Sequence, residues 1–418
     1  MAAVDRGGPP APPLLTVAEA VGLVLERVAA LPTARRPLAR ALGLRLAEAV
    51  EADIDLPPFD KSLVDGYAIR SADLHGSGPF RVIEEVAAGR VPTRAIGPGE
   101  ATAIMTGAPI PEGADAVVMV ERARSSGEGL VHLDDPSSAP GRNVLPLGRE
   151  LRRGEVVARP GDRLRPASLG LLASVGRAEV LVTPRARAAI VPTGDELVEP
   201  DWTPGPGQIR NSNGPLLRAL VESCGAEADL RPIAPDEPTA LRAALRDGLA
   251  ADILIVTGGV SAGRRDLVPG ALESLGVVRV FHKVRLKPGK PAWFGVGPSS
   301  ADRPGPPVFG LPGNPVGAAV AFLLFVRPAL DAMQGRVPAR PYVVEGELAS
   351  AFAHRGDRPT YQPARWLDGG GVDPLPWAGS ADLRAVAGAD GFAIFPEGDR
   401  DHPAGSPIQF LRGDWPGD

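Results

Sequence analysis

From Arg185 to Phe325 the sequence repeats one alternation: a short apolar run, a polar or glycine-bearing turn, then a segment with helical spacing. RAAIVPTGDEL leads to NSNGPLLRALVESCG, and EADLRPIAPDEP to TALRAALRDGLA. ADILIVTGGVSAG leads to LVPGALESLG, and PPVFGLPGNP to VGAAVAFLLF. Strands separated by helices cannot pair as tight hairpins, because parallel neighbours need a long crossover. This part of the chain is therefore confined to a parallel sheet with helices on both faces. Ligands of such sheets lie at the carboxyl ends of strands. The turns PTGDE, APDEP, TGGVSAGRRD and LPGNP are expected to converge there on one cleft. The helix NSNGPLLRALVESCG is read with Asn213 as its cap.

The flanking segments have a different texture. Thr16 to Leu31 reads as an amphipathic helix with Thr16 and Glu19 spaced as a capping box. A second helical segment is expected from Pro37 to Val50. From Asp53 to about Pro140, short apolar runs (FRVIEEV, ATAIM, DAVVMVE, LVHL) alternate with turns, the pattern of a small β domain. After Gly335 short β segments return, as a separate C-terminal domain. A chain of 418 residues exceeds one ordinary core, so three or four domains are expected.

Composition excludes several function classes. A net charge of −5 gives no basic footprint for nucleic acid. The single cysteine, Cys224, excludes a disulfide framework or cysteine-rich metal site and fits a reducing compartment. The longest apolar run, VGAAVAFLLFV, is shorter than the roughly 18 residues of a membrane span. MAAVDRGGPPAPP lacks an apolar signal core and reads as a flexible tail, so a cytoplasmic protein is expected. There is no GxSxG elbow, HExxH helix or P-loop, and the five histidines show no ligand spacing.

The turns carry the chemistry. In TGGVSAGRRD, Gly258, Gly259 and Gly263 let backbone N–H groups approach an oxyanion, Ser261 adds a hydroxyl, and Asp266 offers a carboxylate for a metal. Geometry alone can also demand such glycines. Asp195, Glu196 and Asp236 follow strands and read either as helix caps or as metal ligands. Clustered carboxylates beside a phosphate would repel it unless Mg²⁺ intervened, and Mg²⁺ prefers hard oxygen ligands. RLKPGKP holds Lys287 and Lys290 on a Pro-Gly turn suited to phosphate or molybdate, although solvated lysines are the commoner case. LPGNPVGA stiffens Gly313 and Asn314 between Pro312 and Pro315, and MTGAPIPEGADAVV places Thr106 after a strand. PPFDKSLVDGYAIR crowds Asp60, Lys61 and Asp65 against Phe59, Leu63, Val64, Tyr67 and Ile69, as if a buried frame held the carboxylates.

Taken in order, PPFDKSLVDGYAIR, MTGAPIPEGADAVV, PTGDEL, TGGVSAG with Asp266, LKPGKP and LPGNPV resemble the molybdopterin molybdenumtransferases, the family of bacterial MoeA and the gephyrin E domain. The resemblance runs from about Leu14 to the end and is most distinctive through Val316. It implies a Mg²⁺-dependent insertion of molybdenum from molybdate into adenylylated molybdopterin, releasing AMP and molybdenum cofactor.

It also implies a multidomain α/β plus β architecture. A three-layer α/β domain with a mostly parallel sheet would span residues 184–335. The small β domain would be 53–139, an elongated helical and β linker domain 14–52 with 140–183, and a C-terminal β domain 336–418, after a tail of residues 1–13.

By position, the resemblance implies active-site roles for Asp65, Thr106, Glu196, Asp236 and Asp266, the last three as Mg²⁺ ligands. Gly258, Gly259, Ser261, Gly263, Lys287, Lys290, Pro312, Gly313, Asn314 and Pro315 would bind substrate, with Arg365 and Ser380 completing a molybdate site. Arg264, Arg265 and Glu150 depart from the family pattern. A homodimer with sites shared between subunits is expected, without nucleic acid or membrane. The alternatives are a molybdopterin-binding scaffold without catalysis and a molybdopterin adenylyltransferase.

Overall fold

The structure is a computed structural model and describes residues 14–75, 78–260, 267–301 and 303–413. The chain divides into two compact units: one holds residues up to 35, 43–47 and 181 onward, the other residues 36–42 and 48–180.

The first unit is built on strands β1 (Arg187–Pro192), β2 (Glu227–Leu230), β3 (Ile253–Thr257), β4 (Val278–His282), β5 (Trp293–Val296) and β6 (Pro307–Leu311). They lie in the order β2-β1-β3-β6-β5-β4. β1 is parallel to β2 and β3, and β3 to β6, whereas β5 and β4 add an antiparallel edge. The sheet is thus mixed, because the segment holding the two lysines joins β4 to β5 directly. Side chains alternate between two cores. Ala188, Ile190, Ile253, Ile255 and Phe309 face one cluster with Leu217 and Val221 of the helix Asn213–Ser223. Ala189, Val191, Leu254, Val256 and Val308 face the other with Leu241, Leu245 and Leu272, from helices Pro238–Gly248 and Val268–Ser274. Helices therefore cover both faces.

The 19-residue helix Pro315–Met333 is long and apolar enough to cross a membrane, yet 94% of its apolar window is buried in the first core. Its Phe322, Leu323, Leu324 and Phe325 are each at most 2% exposed, and burying each such side chain contributes about 1.5–3 kcal/mol. A helix apolar all round belongs inside. The same unit carries a closed barrel of Val343–Leu348, Gly371–Pro374, Thr360–Leu367, Gly391–Phe395 and Pro407–Arg412, filled by Ala364, Val372, Phe395, Ile408 and Phe410.

The second unit centres on a six-stranded sheet in the order Ala116–Met119, Gly66–Ile69, Glu100–Ile104, Phe80–Val86, Leu130–Leu133, Ala123–Gly127. Ala68, Val86, Ile104 and Val117 fill one face and Ile69, Phe80, Ala101 and Val118 the other. Gly66 is required by close approach: a Cβ there would lie 1.9 Å from the Val118 carbonyl oxygen.

Three expectations fail. The first helix has the expected reciprocal capping box, with Thr16 N–H donating to Glu19 at 2.8 Å, but ends at Leu25. Beyond it the chain is drawn along the core instead, where Leu31 N–H donates to the Met333 carbonyl at 2.8 Å. Pro37–Val50 is not a helix: a single 3₁₀ turn, Leu38–Arg40, is followed by Gly43 at φ 79°. Strand pairing overrides helix propensity there, since Arg45–Leu46 pairs with Val182–Thr183 and Val50–Glu51 with Val156–Ala158. Finally, Asn213 is the first helical residue and not a cap; Ser212 precedes it and makes no side-chain cap bond.

Candidate functional site

In the second unit, Asp65 sits on the turn entering Gly66–Ile69 and Thr106 on the turn leaving Glu100–Ile104. Antiparallel pairing of these strands, Gly66 opposite Ile104, brings the two turns together. Asp65 Oδ1 accepts the Thr106 N–H at 2.7 Å and the Thr106 hydroxyl at 2.8 Å. These two donors, the backbone one foremost, hold the Asp65 carboxyl below its usual range. Asp65 is therefore an exposed, fixed anion.

Its frame differs from the expectation. Val64 packs against the core on one face of the sheet and Ile69 lies in the core on the other, but Phe59 and Leu63 are 39% and 49% exposed. With Met105 and Val120 they leave an apolar surface beside Asp65, whose carbonyl accepts the Val120 N–H at 3.0 Å. Asp60 has a local role, accepting the Leu147 N–H at 2.7 Å, and Lys61 pairs with Glu150 at 3.9 Å.

In the first unit the strand ends bring three of the expected turns to one cavity of about 520 Å³. Thr193 and Glu196 line it after β1, Thr257 and Gly258 after β3, and Pro312 to Pro315 after β6. Asn213, read only as a cap from sequence, locks these turns together. Its Nδ2 donates to Thr257 Oγ1 at 2.7 Å and to the Gly313 carbonyl at 2.8 Å. No end-of-strand pattern marks such a residue, because its partners are 44 and 100 positions away in other turns.

Gly258 and Gly259 are explained by packing. Both have positive φ, and a Cβ on Gly258 would lie 2.4 Å from the Thr193 carbonyl oxygen, on Gly259 2.8 Å from Val268. Ser261, Gly263, Arg264, Arg265 and Asp266 lie outside the described residues.

The APDEP turn approaches the PTGDE turn without lining the cavity. Gly194 N–H donates to the Ala234 carbonyl at 3.2 Å, and Asp236 N–H to Asp195 Oδ1 at 2.9 Å. The next helix is capped by Glu237, which accepts from Thr239 and Ala240 N–H. Asp236 is thus not the cap. Among the described residues no group of three or more His, Cys, Asp or Glu stands ready to hold a metal.

A second cavity, about 270 Å³, shares Pro291, Pro312 and Asn314 with the first. Lys287, Lys290 and Arg358 line it with Trp377 and Ser380. The turn is fixed to the barrel: Lys287 N–H donates to the Pro359 carbonyl at 2.9 Å, and Tyr361 N–H to the Lys287 carbonyl at 2.7 Å. Asn314 Nδ2 donates to Ser380 Oγ at 3.0 Å, tying the LPGNP turn to the opposite wall. Arg358 also contacts Asp357 at 3.1 Å, whereas the two lysines have no carboxylate within 4.0 Å among the described residues. Three cations around so small a space suit an oxyanion.

Arg365, expected to complete that site, is exposed, donates to the Gly388 carbonyl at 3.1 Å and lines neither cavity. Arg358, seven positions earlier, occupies the wall instead. A larger cavity of about 850 Å³, lined by Tyr361, Ile394, Arg400 and His402 among others, holds none of the predicted residues.

Residues 15–176 match the MoeA N-terminal region (domain I and II), residues 189–332 a probable molybdopterin binding domain, and residues 345–412 the MoeA C-terminal region (domain IV). A molybdopterin molybdenumtransferase of Staphylococcus aureus is 33% identical over 406 residues, covering 95% of each chain. Molybdopterin molybdenumtransferase 2 of Mycobacterium tuberculosis is 36% identical over 408 residues, covering 94% of this chain and 98% of its own. A solved structure of the molybdopterin biosynthesis MoeA protein of Pyrococcus horikoshii aligns with TM-score 0.76 and 29% identity, over 96% of this chain and 100% of that one.

Proposed function

The chain belongs to the molybdopterin molybdenumtransferase family and so to molybdenum cofactor biosynthesis, and from that premise we propose that it inserts molybdenum from molybdate into adenylylated molybdopterin, releasing AMP. The observation that carries the reading is the pair of adjoining cavities: one ringed by Lys287, Lys290 and Arg358, the other formed by turns at the ends of parallel strands. The first suits molybdate as substrate, and the second suits the phosphate-bearing part of the pterin nucleotide.

Magnesium fits this donor set in a limited way. Glu196 and Asp236 are exposed oxygen donors on neighbouring turns, and Mg²⁺ is commonly bound by one or two carboxylates with substrate phosphates and water. Glu196 and Asp236 would hold it, with Asp266 as a third candidate. Bound there, it would offset phosphate charge at the pyrophosphate link. The chain's own groups do the rest. Lys287 and Lys290 attract and orient the oxyanion on a turn whose backbone is fixed, so little order is lost on binding. Asn213 holds the walls of the strand-end cavity in register. Asp65, kept ionised by Thr106, serves as a placed acceptor or anion and is a weak base near neutral pH, because a lowered pKa reduces its proton affinity.

The working enzyme is proposed to be a cytoplasmic homodimer. Exposed Phe59, Leu63, Met105 and Val120 around a fixed carboxylate support a face that a second copy covers. In that dimer Asp65 and Thr106 of one subunit would serve the partner's substrate.

The test is AMP release from adenylylated molybdopterin by the purified full chain with Mg²⁺ and molybdate. Molybdate-dependent release supports the reading, and none with verified substrate sinks it. Mixing Asp65→Asn and Glu196→Gln subunits should restore activity in about a quarter of all sites if two-fold symmetry shares them.

A further inference from the structure

Between two short strands that pair in parallel, Leu197–Val198 and Ile209–Arg210, the chain forms the loop EPDWTPGPGQ, of which almost every residue is exposed. Trp202 is 65% exposed, and Ile209, where the loop ends, 57%. Leaving an indole and an isoleucine in water forfeits apolar burial; Ile209 borders the strand-end cavity, and Trp202 is joined to that wall through Arg210. Ile209 and Arg210 line that cavity, and they do not line the lysine cavity. Arg210 Nε donates to the Trp202 carbonyl at 3.0 Å, and its terminal nitrogens have no partner among the described residues.

The loop is also held. Trp202 N–H donates to the Glu199 carbonyl at 3.0 Å. Gly205 N–H donates to Gln208 Oε1 at 3.0 Å, while Gln208 N–H donates back to the Gly205 carbonyl at 3.0 Å. Ile209 N–H donates to the Glu196 carbonyl at 2.8 Å, fastening the returning strand to the PTGDE turn. Both peptide groups of Trp202 are engaged, so its backbone is placed before any ligand arrives.

We propose that Trp202 and Arg210 form a clamp for the substrate, the indole stacking on a planar heterocycle and the guanidinium meeting the phosphate attached to it. This rests on the function proposed above and names a specificity element within it. A guanidinium pairs with phosphate in a planar fork, and an aromatic face accepts any flat base. The two cavities meet at Pro291, Pro312 and Asn314, and the Arg210 wall belongs to the larger cavity alone. A substrate with its molybdate-accepting end near the lysines would carry its remaining phosphate and ring toward Arg210. The ring is either the adenine or the pterin.

The experiment uses the full-length assembled protein with three probes: AMP, inorganic phosphate and adenylylated molybdopterin. Trp202→Ala should weaken AMP binding about tenfold, within the range that base stacking gives on alanine substitution, with phosphate binding unchanged. Trp202→Phe should retain AMP affinity within about threefold, since a smaller aromatic face still stacks. Arg210→Gln should weaken AMP and phosphate alike. In turnover, Trp202→Ala should raise KM about tenfold at unchanged kcat, a split that mere loss of folded protein would not give. Unchanged AMP affinity with a raised KM assigns the stack to the pterin and keeps the clamp. Unchanged AMP affinity with unchanged KM overturns it. So does a smaller assembly of Trp202→Ala by light scattering, which would make Trp202 a subunit contact. Wild-type protein that neither binds AMP nor turns over substrate refutes the parent function; wild-type turnover matched by Trp202→Ala refutes the clamp alone.

Discussion

Replacing Asn213 with alanine tests whether one amide holds the strand-end cavity in shape. The side chain makes two well-formed bonds, 2.7 Å to Thr257 Oγ1 and 2.8 Å to the Gly313 carbonyl, and a long third contact of 3.4 Å to the Pro312 carbonyl. Two neutral bonds contribute about 2 kcal/mol net. Its Oδ1 is buried and has no partner among the described residues, a cost that alanine removes. Gly313 is exposed, so water can satisfy the carbonyl that loses its donor. The net loss for Asn213→Ala is then about 1–2 kcal/mol. Asn213→Asp keeps the shape but sets a carboxylate among acceptor oxygens, so it should cost more, about 3 kcal/mol or above. The readout is hydrogen exchange at the Gly258 and Thr193 amides, which are protected by bonds to the Leu311 and Thr257 carbonyls. Asn213→Ala should speed their exchange about tenfold, the equivalent of 1.4 kcal/mol. Unchanged exchange, or an aspartate variant no worse than alanine, would refute the argument.

Asp65→Asn and Glu196→Gln should each slow AMP release at least about tenfold while the thermal unfolding midpoint stays put; full turnover in either variant removes that residue from the site. Lys290→Gln and Arg358→Gln should raise the molybdate concentration for half-maximal turnover more than they weaken nucleotide binding, and an unshifted molybdate curve would make them ordinary surface cations. Gly66→Ala sets a Cβ 1.9 Å from the Val118 carbonyl and should destabilise the second unit by about 4 kcal/mol or more, seen as early loss of protection in residues 48–180; native-like protection would contradict the packing. Burial holds His354 and His402 below the ordinary value of 6.5, so the folded chain favours their neutral forms. Their stabilising contribution is present above that pH and is lost as pH falls through the lowered values. Urea midpoints should therefore drop from pH 7.5 to 5.5 less steeply in a His354→Gln/His402→Gln double variant, and equal slopes would discount the pair.

What the sequence disclosed depended on whether a residue's environment was local. ILIVT in β3 is buried at every position, and an unbroken apolar run carries that information by itself. The turns after β1, β3 and β6 were predictable for the same reason: strand direction puts their ends on one side. Leu46 and Val50 are both buried and four positions apart, the spacing of a helix face, yet each belongs to a different short strand. Their partners, Val182 and the Val156–Ala158 pair, lie more than a hundred positions onward, so no local pattern distinguishes the two structures. The site divides on the same line. Asp65 and Thr106 sit on turns whose motifs are continuous in sequence, and the structure joins them by two hydrogen bonds. Arg358 and Asn213 act through partners that only folding supplies: the LKPGKP turn for one, Thr257 and Gly313 for the other. Preferring Arg358 to Arg365 requires knowing which arginine reaches the lysine cavity. The pairing of Lys287 with Thr360 sets that register, placing Arg358 two residues before the contact and Arg365 five beyond it. A cavity built across elements is therefore legible in its turns and illegible in its walls.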